Sequence, residues 1–121
     1  MEPGHEAHLR RCEDADHAYC GGEFAVAASA YAELVREGCV VAAIGLGEMY
    51  LRGEGVQADL EKGLELLRRA AAAGASIAAF NLGALHRSGD CGVPVDPVES
   101  RRCFQLAREL GCDLPVENYL N

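Results

Sequence analysis

The sequence predicts an all-α protein, a right-handed α-solenoid of about three helix-turn-helix repeats, and three observations carry that reading. First, one pattern occurs twice: Leu46-Gly47 returns as Leu82-Gly83, Gly53 as Gly89, Gly55-Val56 as Gly92-Val93, Asp59 as Asp96, Ala70 as Ala107 and Gly74 as Gly111. The spacing is 36 residues at the start (46 to 82) and 37 from Gly55 onward (55 to 92), so one residue is inserted between Gly89 and Gly92. A period of this length marks stacked supersecondary units that bury their apolar faces against one another. Second, the chain is rich in alanine and poor in aromatics, with 3 Phe, 4 Tyr and no Trp in 121 residues, which suits helices packed closely through small side chains. Third, threonine is absent and the β-branched residues do not alternate, which argues against strands.

Residues 5–38 read as a degenerate first unit. Leu9, Cys12, Ala15 and Tyr19 share one helical face, Cys20-Gly21-Gly22 makes the turn, and Phe24, Ala27, Ala28, Tyr31 and Leu34 face inward from a second helix that stops at Gly38. Residues 39–75 form the first full repeat. Its helix A spans about 40–51, with Ala43, Leu46, Gly47 and Tyr50 at three-and-four spacing. Glycine is costly inside a helix, so Gly47 and Gly83 are expected at points where adjacent hairpins nest backbone to backbone. Arg52-Gly53-Glu54-Gly55 reverses the chain. Helix B opens on Asp59, whose carboxylate can accept from first-turn amides; it carries Leu60, Leu64, Leu67, Ala70 and Ala71, and ends at Gly74.

Residues 76–112 repeat the plan with stronger start signals for the second helix: Asp96 as cap, Pro97 at the first helical position and Glu99 at the third. Cys103, Phe104, Leu106, Ala107 and Leu110 form its apolar face. The tail, 113–121, is too short for another pair; Leu114, Val116, Tyr119 and Leu120 are expected to fold back and cap the open end.

The run from Ala42 to Gly63, with Leu46-Gly47-Glu48-Met49-Tyr50, Gly53-Glu54-Gly55-Val56 and Asp59-Leu60-Glu61-Lys62, followed by Ala70-Ala71-Ala72-Ala73-Gly74, resembles the Sel-one-like repeat, a subfamily of tetratricopeptide-type helical hairpins. Ala78 to Gly111 supports the resemblance. The first unit is more similar to a tetratricopeptide helix pair. The chain departs from the family at His86, where tyrosine is usual, at Cys91 in the lengthened turn, and at Cys103, where a large aromatic is common. The resemblance implies an adaptor or scaffold for protein complexes. It also implies that outward positions of the A helices line the concave side. By register with Leu46 and Leu82 these are Val41, Ile44, Glu48 and Leu51, then Ile77, Phe80, Ala84 and Arg87. An apolar strip there marks a partner-binding surface.

The formal charge is −8. That excess opposes binding to nucleic acid and to anionic membranes, and suits solubility or a basic partner. No apolar leader or membrane-length run is visible, which reads as a cytoplasmic protein. Ten of the 11 basic residues are arginine, a bias seen in GC-rich bacterial genomes. The six cysteines lack regular pairing, and Cys39 and Cys112 sit at equivalent positions two units apart, so free, mostly buried thiols are expected.

His5, His8 and Cys12 lie at i, i+3 and i+7 and could gather a metal with Cys20 or Glu6. Without a Cys-x-x-Cys or His-x-x-x-His pair, the plainer reading is a polar terminal helix with one buried cysteine, and neither metal nor cofactor is expected. His86 is read as filling its tyrosine slot with a nitrogen reaching the turn. Ser29, Ser76, Ser88 and Ser100 lack the setting of a nucleophile, and no phosphate or dinucleotide loop occurs. The function expected is therefore a non-enzymatic adaptor, monomeric or weakly dimeric, that binds a protein or peptide on the A-helix face, with a basic partner suited to the acidic charge. A bacterial immunity or inhibitor protein against a toxin or effector is the alternative. A β-lactam-binding enzyme, known from a cysteine-rich branch of the family, is the more distant one.

Overall fold

The structure, a computed structural model, describes residues 3–114, with side chains from residue 6 onward. Within that range six α-helices follow in order: α1 (Pro3–Cys20), α2 (Phe24–Arg36), α3 (Val40–Arg52), α4 (Leu60–Ala72), α5 (Ser76–Ser88) and α6 (Pro97–Glu109), with a short 3-10 turn, Asp90–Gly92, between the last two. No strand occurs among the described residues. Each helix packs on its neighbours in sequence, the arrangement of an α-solenoid made of three hairpins. None of these helices is long and apolar enough to cross a membrane.

Helix starts follow local chemistry. The Asp59 carboxylate accepts from the Lys62 amide at 3.2 Å, and the Asp96 carboxylate accepts from the Glu99 amide at 3.1 Å. Each of these aspartates also donates its own amide across the interhelical turn to the end of the preceding helix, Asp59 to the Tyr50 carbonyl and Asp96 to the His86 carbonyl, both at 2.9 Å. The two copies thus close their turns with the same pair of bonds despite the inserted residue. In the second copy Cys91 sits at φ 59°, the one non-glycine residue with positive φ among those described, and it absorbs the extra length.

The core is a ladder of small residues and leucines. Ala15, Ala27, Leu34, Ala42, Leu67, Ala78, Ala79, Phe104 and Ala107 are essentially sealed from solvent. Leu9 and Leu106, expected to face inward, are exposed at 45% and 37%. Leu9 belongs to α1, an outermost helix with one face covered, and Leu106, on the last described helix, borders an open groove with Ala71 of α4 and Leu82 of α5. Of the thiols, Cys103 alone is buried; Cys12, Cys39 and Cys112 are half-buried, and Cys20 and Cys91 are exposed. The expectation of mostly buried cysteines is therefore corrected. Of the four tail residues expected to cap the stack, Leu114 is exposed, and the other three lie outside the described residues.

The two mid-helix glycines also act differently from the expectation. They bring together the two helices of one hairpin, not two adjacent hairpins. A Cβ on Gly47 would lie 3.1 Å from the Gly63 carbonyl oxygen of α4, and one on Gly63 would lie 2.7 Å from Leu51 Cγ. A Cβ on Gly83 would press into the Phe104 ring at 2.9 Å. Contact between hairpins depends on another glycine. Gly55, at φ +74°, rests so tightly on the Phe24 carbonyl that a Cβ would overlap it.

Two substitutions separate these effects. Gly74→Ala places a side chain at φ +99° in open space, and should cost only the left-handed penalty of about 1–2 kcal/mol. Gly55→Ala adds a backbone collision and should exceed that loss by at least ~1 kcal/mol. Urea unfolding midpoints of the two variants test the difference; equal losses would show that the Gly55–Phe24 contact is unimportant.

Candidate functional site

The eight A-helix positions fall into three groups. Val41 and Ile77, at the first turns of α3 and α5, are exposed. Ile44 is half-buried against the core. Glu48, Leu51 and Ala84 line one cleft, and Phe80, Ala84 and Arg87 border the groove beside it; Leu51, expected to face outward, is instead buried, packed close to Gly63 of α4. The register of Leu46 with Leu82 therefore brings five of the eight to one continuous surface.

Helices α3 and α5 form the cleft walls, and they touch through a side-chain bond. The Asn81 amide donates to Glu48 Oε1 at 3.0 Å. Leu51, Ala84 and Leu85 supply an apolar floor, and Arg52, Ser88, Asp90 and Cys91 close the end. The cleft encloses about 190 Å³, and the groove that continues past Ala84 along Phe80 and Arg87 adds about 490 Å³. Phe80 is no free surface ring: its centroid lies 5.2 Å from that of Phe104 in an edge-on contact. It forms a fixed wall of the groove.

Sequence reasoning missed the end wall. Asp90 and Cys91 belong to the 3-10 turn created by the inserted residue, and the break in repeat spacing was the available signal. It also missed Asn81, whose role depends on a cross-repeat hydrogen bond that no motif encodes.

Glu48 sits in a partly desolvated position, and burial raises its pKa; the nearby Arg52 guanidinium works in the opposite direction. The floor of the cleft thus holds a carboxylate that gives up charge more readily than a solvated one. The lining of the cleft and groove together includes two arginines (Arg52 in the cleft, Arg87 in the groove) and two acidic residues (Glu48 in the cleft, Asp90 in both). The acidic excess of the whole chain is not concentrated here.

Other candidate residues serve the fold. Ser100 is buried, and its hydroxyl donates to the Gly83 carbonyl at 2.8 Å, tying α6 to α5. His86 is buried with Nδ1 3.2 Å from the Pro94 carbonyl, so a ring nitrogen does reach the turn. The Cys103 thiol is pushed up to about 11 by burial and by neighbouring Glu99, which keeps it an unreactive thiol at neutral pH. The expected ligand set around Cys12 changes membership. The side chain of His5 is outside the described residues, and Glu6 and Cys20 are exposed and apart from the group. Cys20 lies two helical turns past Cys12 on α1. Cys39 of the next unit joins His8 and Cys12 instead.

A family model, the Sel1 repeat, matches residues 40–74 and again 76–112. The chain belongs to the Sel1 repeat family. Its two matched Sel1 units are the hairpins α3–α4 and α5–α6 that form the cleft. Among solved structures, a Sel1 repeat protein from Oxalobacter formigenes is similar at 26% identity and a TM-score of 0.73, over 93% of this chain and 47% of that one. The protective antigen c5321 of uropathogenic Escherichia coli, which has the same Sel1-like fold, is similar at 27% identity and a TM-score of 0.71, over 89% of this chain and 24% of that one. The chain thus spans less than half the length of these Sel1 relatives. No curated protein matches it. Sel1 repeats are helical scaffolds that typically mediate protein–protein interaction.

The raised Glu48 pKa has a signed consequence. Unfolded glutamate titrates near about 4.3, and the folded form holds its proton to higher pH. Between the two values the folded state binds more protons, so this residue's contribution to stability falls as pH rises through that window and is constant above it. Glu48→Gln keeps an oxygen to accept from Asn81 and removes the titration. Its stability relative to wild type should therefore improve from about pH 4 upward and then level off, as read from urea midpoints across pH. A difference that is flat in pH would refute the assignment.

Proposed function

We propose that this Sel1 repeat protein is a non-enzymatic adaptor that holds a partner protein or peptide in the cleft between α3 and α5. The observation that carries the reading is the convergence of Glu48, Leu51 and Ala84 with Leu85 and Asn81 on one concavity that spans both Sel1 units. An apolar floor of Leu51, Ala84 and Leu85 suits an apolar side chain of the partner, and the Glu48–Asn81 pair offers polar groups to orient its backbone. The groove along Phe80 and Arg87 gives the adjoining segment a path outward.

The chain's charge acts at longer range than the cleft. A net charge of −8 speeds encounter with a basic partner, while the balanced guanidinium and carboxylate groups at the cleft leave selection to shape and to the apolar anchor. The dissociation rate is therefore expected to depend little on salt, whereas the association rate, and through it the affinity, should fall as salt rises.

Ala84→Arg fills the cleft from its centre without touching a sealed core position. It should reduce recovery of co-purifying protein from native lysate by at least about tenfold, with unchanged helical circular dichroism. Val98→Asp, on the exposed flank of α6, should leave recovery as in wild type. Capture that survives Ala84→Arg with the fold intact would remove the cleft from consideration.

A further inference from the structure

We propose that His8, Cys12 and Cys39 form a binding site for a thiophilic transition-metal ion of the zinc class, at the junction between the first helix pair and the first Sel1 unit. The side-chain ligand atoms of all three residues lie within 4.8 Å of one another, and all three residues are half-buried, within reach of an ion from solvent. His8 and Cys12 are one helical turn apart on α1, so they project from one face. Cys39 comes from the N-terminus of α3, where its side chain makes no cap bond to the helix amides and remains available.

The spacing fits metal coordination. The Cys12 and Cys39 sulfurs are 3.9 Å apart, against about 3.8 Å for the edge between two sulfurs bound tetrahedrally at ~2.3 Å from zinc. Two thiolates and one imidazole are borderline-to-soft donors, the set that selects zinc over magnesium or calcium. Binding releases the two thiol protons, and the two thiolate charges then balance the dication. Three protein ligands leave the fourth tetrahedral position to water.

The surrounding contacts hold these ligands together. Arg11, next to Cys12, grips Glu37 with both guanidinium nitrogens at 2.7 and 2.5 Å. Glu37 is two residues from Cys39, so this pair fixes α1 against the α2–α3 turn. The Tyr31 hydroxyl donates to Asp16 at 2.5 Å, one turn past Cys12, and fixes α1 against α2. The ion would add a coordination tie between two units that otherwise meet through packing, with Gly55 on Phe24 and Gly45 on the Tyr31 ring, and through the Tyr19–Glu54 hydrogen bond. The site lies at the opposite end of α3 from the cleft and is independent of it.

The test uses the full chain, reduced and stripped of metal, and titrates zinc against a chromophoric chelator; cobalt(II) serves as a spectroscopic probe. One equivalent should bind, and cobalt should show thiolate charge-transfer absorbance. Cys12→Ser and Cys39→Ser should each weaken zinc binding at least about a hundredfold and His8→Ala about tenfold, while Cys20→Ser and Cys91→Ser match wild type. Zinc should also protect Cys12 and Cys39 of the unmutated chain from alkylation, mapped by peptide mass, a reading that needs no variant to fold. Undiminished binding in Cys39→Ser, protection centred on Cys20 or Cys91, or a reduced chain that takes up no zinc and merely oxidises to a Cys12–Cys39 disulfide would each overturn the proposal.

Discussion

The closeness of the two helices within each hairpin is the constraint on which the rest depends. In the first Sel1 unit, two backbones meet where Gly47 of α3 lies over Gly63 of α4, with Leu51 filling the space beside them. In the second, the meeting is backbone against ring, since Phe104 lies flat on Gly83. Both solutions place helix A near helix B, and both use a glycine that is unfavourable in isolation. Dispersion contacts along the seam offset that cost. Once the hairpins are this thin, successive A helices come near enough for the Asn81 amide of one to reach Glu48 of the other.

The second unit reaches the same shape with different side chains. Phe104 occupies volume that Leu66 and Leu67 occupy in the first. Ser100 supplies a hydrogen bond to the Gly83 carbonyl that has no counterpart where Gly63 stands. His86 takes the place of Tyr50 and anchors the turn through Pro94. The scaffold is thus specified by spacing and volume more than by residue identity, in keeping with structural similarity to relatives that share only 26–27% of their residues.

The fold was highly legible in the sequence, because its signals are local. Asp59 and Asp96 cap the helices that their positions announced, and the turns fall at the glycines that mark the period. What escaped depended on relations between segments. Gly47 reads as a close-approach residue, but nothing local says which helix approaches. Gly55 reads as a turn, yet its tight seat on Phe24 comes from the preceding unit. Leu9 and Leu106 carry the right periodicity and still face solvent, because an end helix has no second neighbour to cover it. For the candidate site, the register placed Glu48, Leu51 and Ala84 together, whereas Asn81, Asp90 and the pairing of Cys12 with Cys39 required three-dimensional proximity.

The extra residue in the second turn has an evolutionary consequence. Asp90 and Cys91 stand at the mouth of the cleft, while the two bonds that close the hairpin are kept at their usual lengths. Length changes confined to Asp90 and Cys91, both exposed, would reshape the mouth provided that Val93, buried just beyond them, keeps its place in the core. Descendants of such a chain could therefore alter the shape of this mouth by indel alone, leaving the superhelical frame in place.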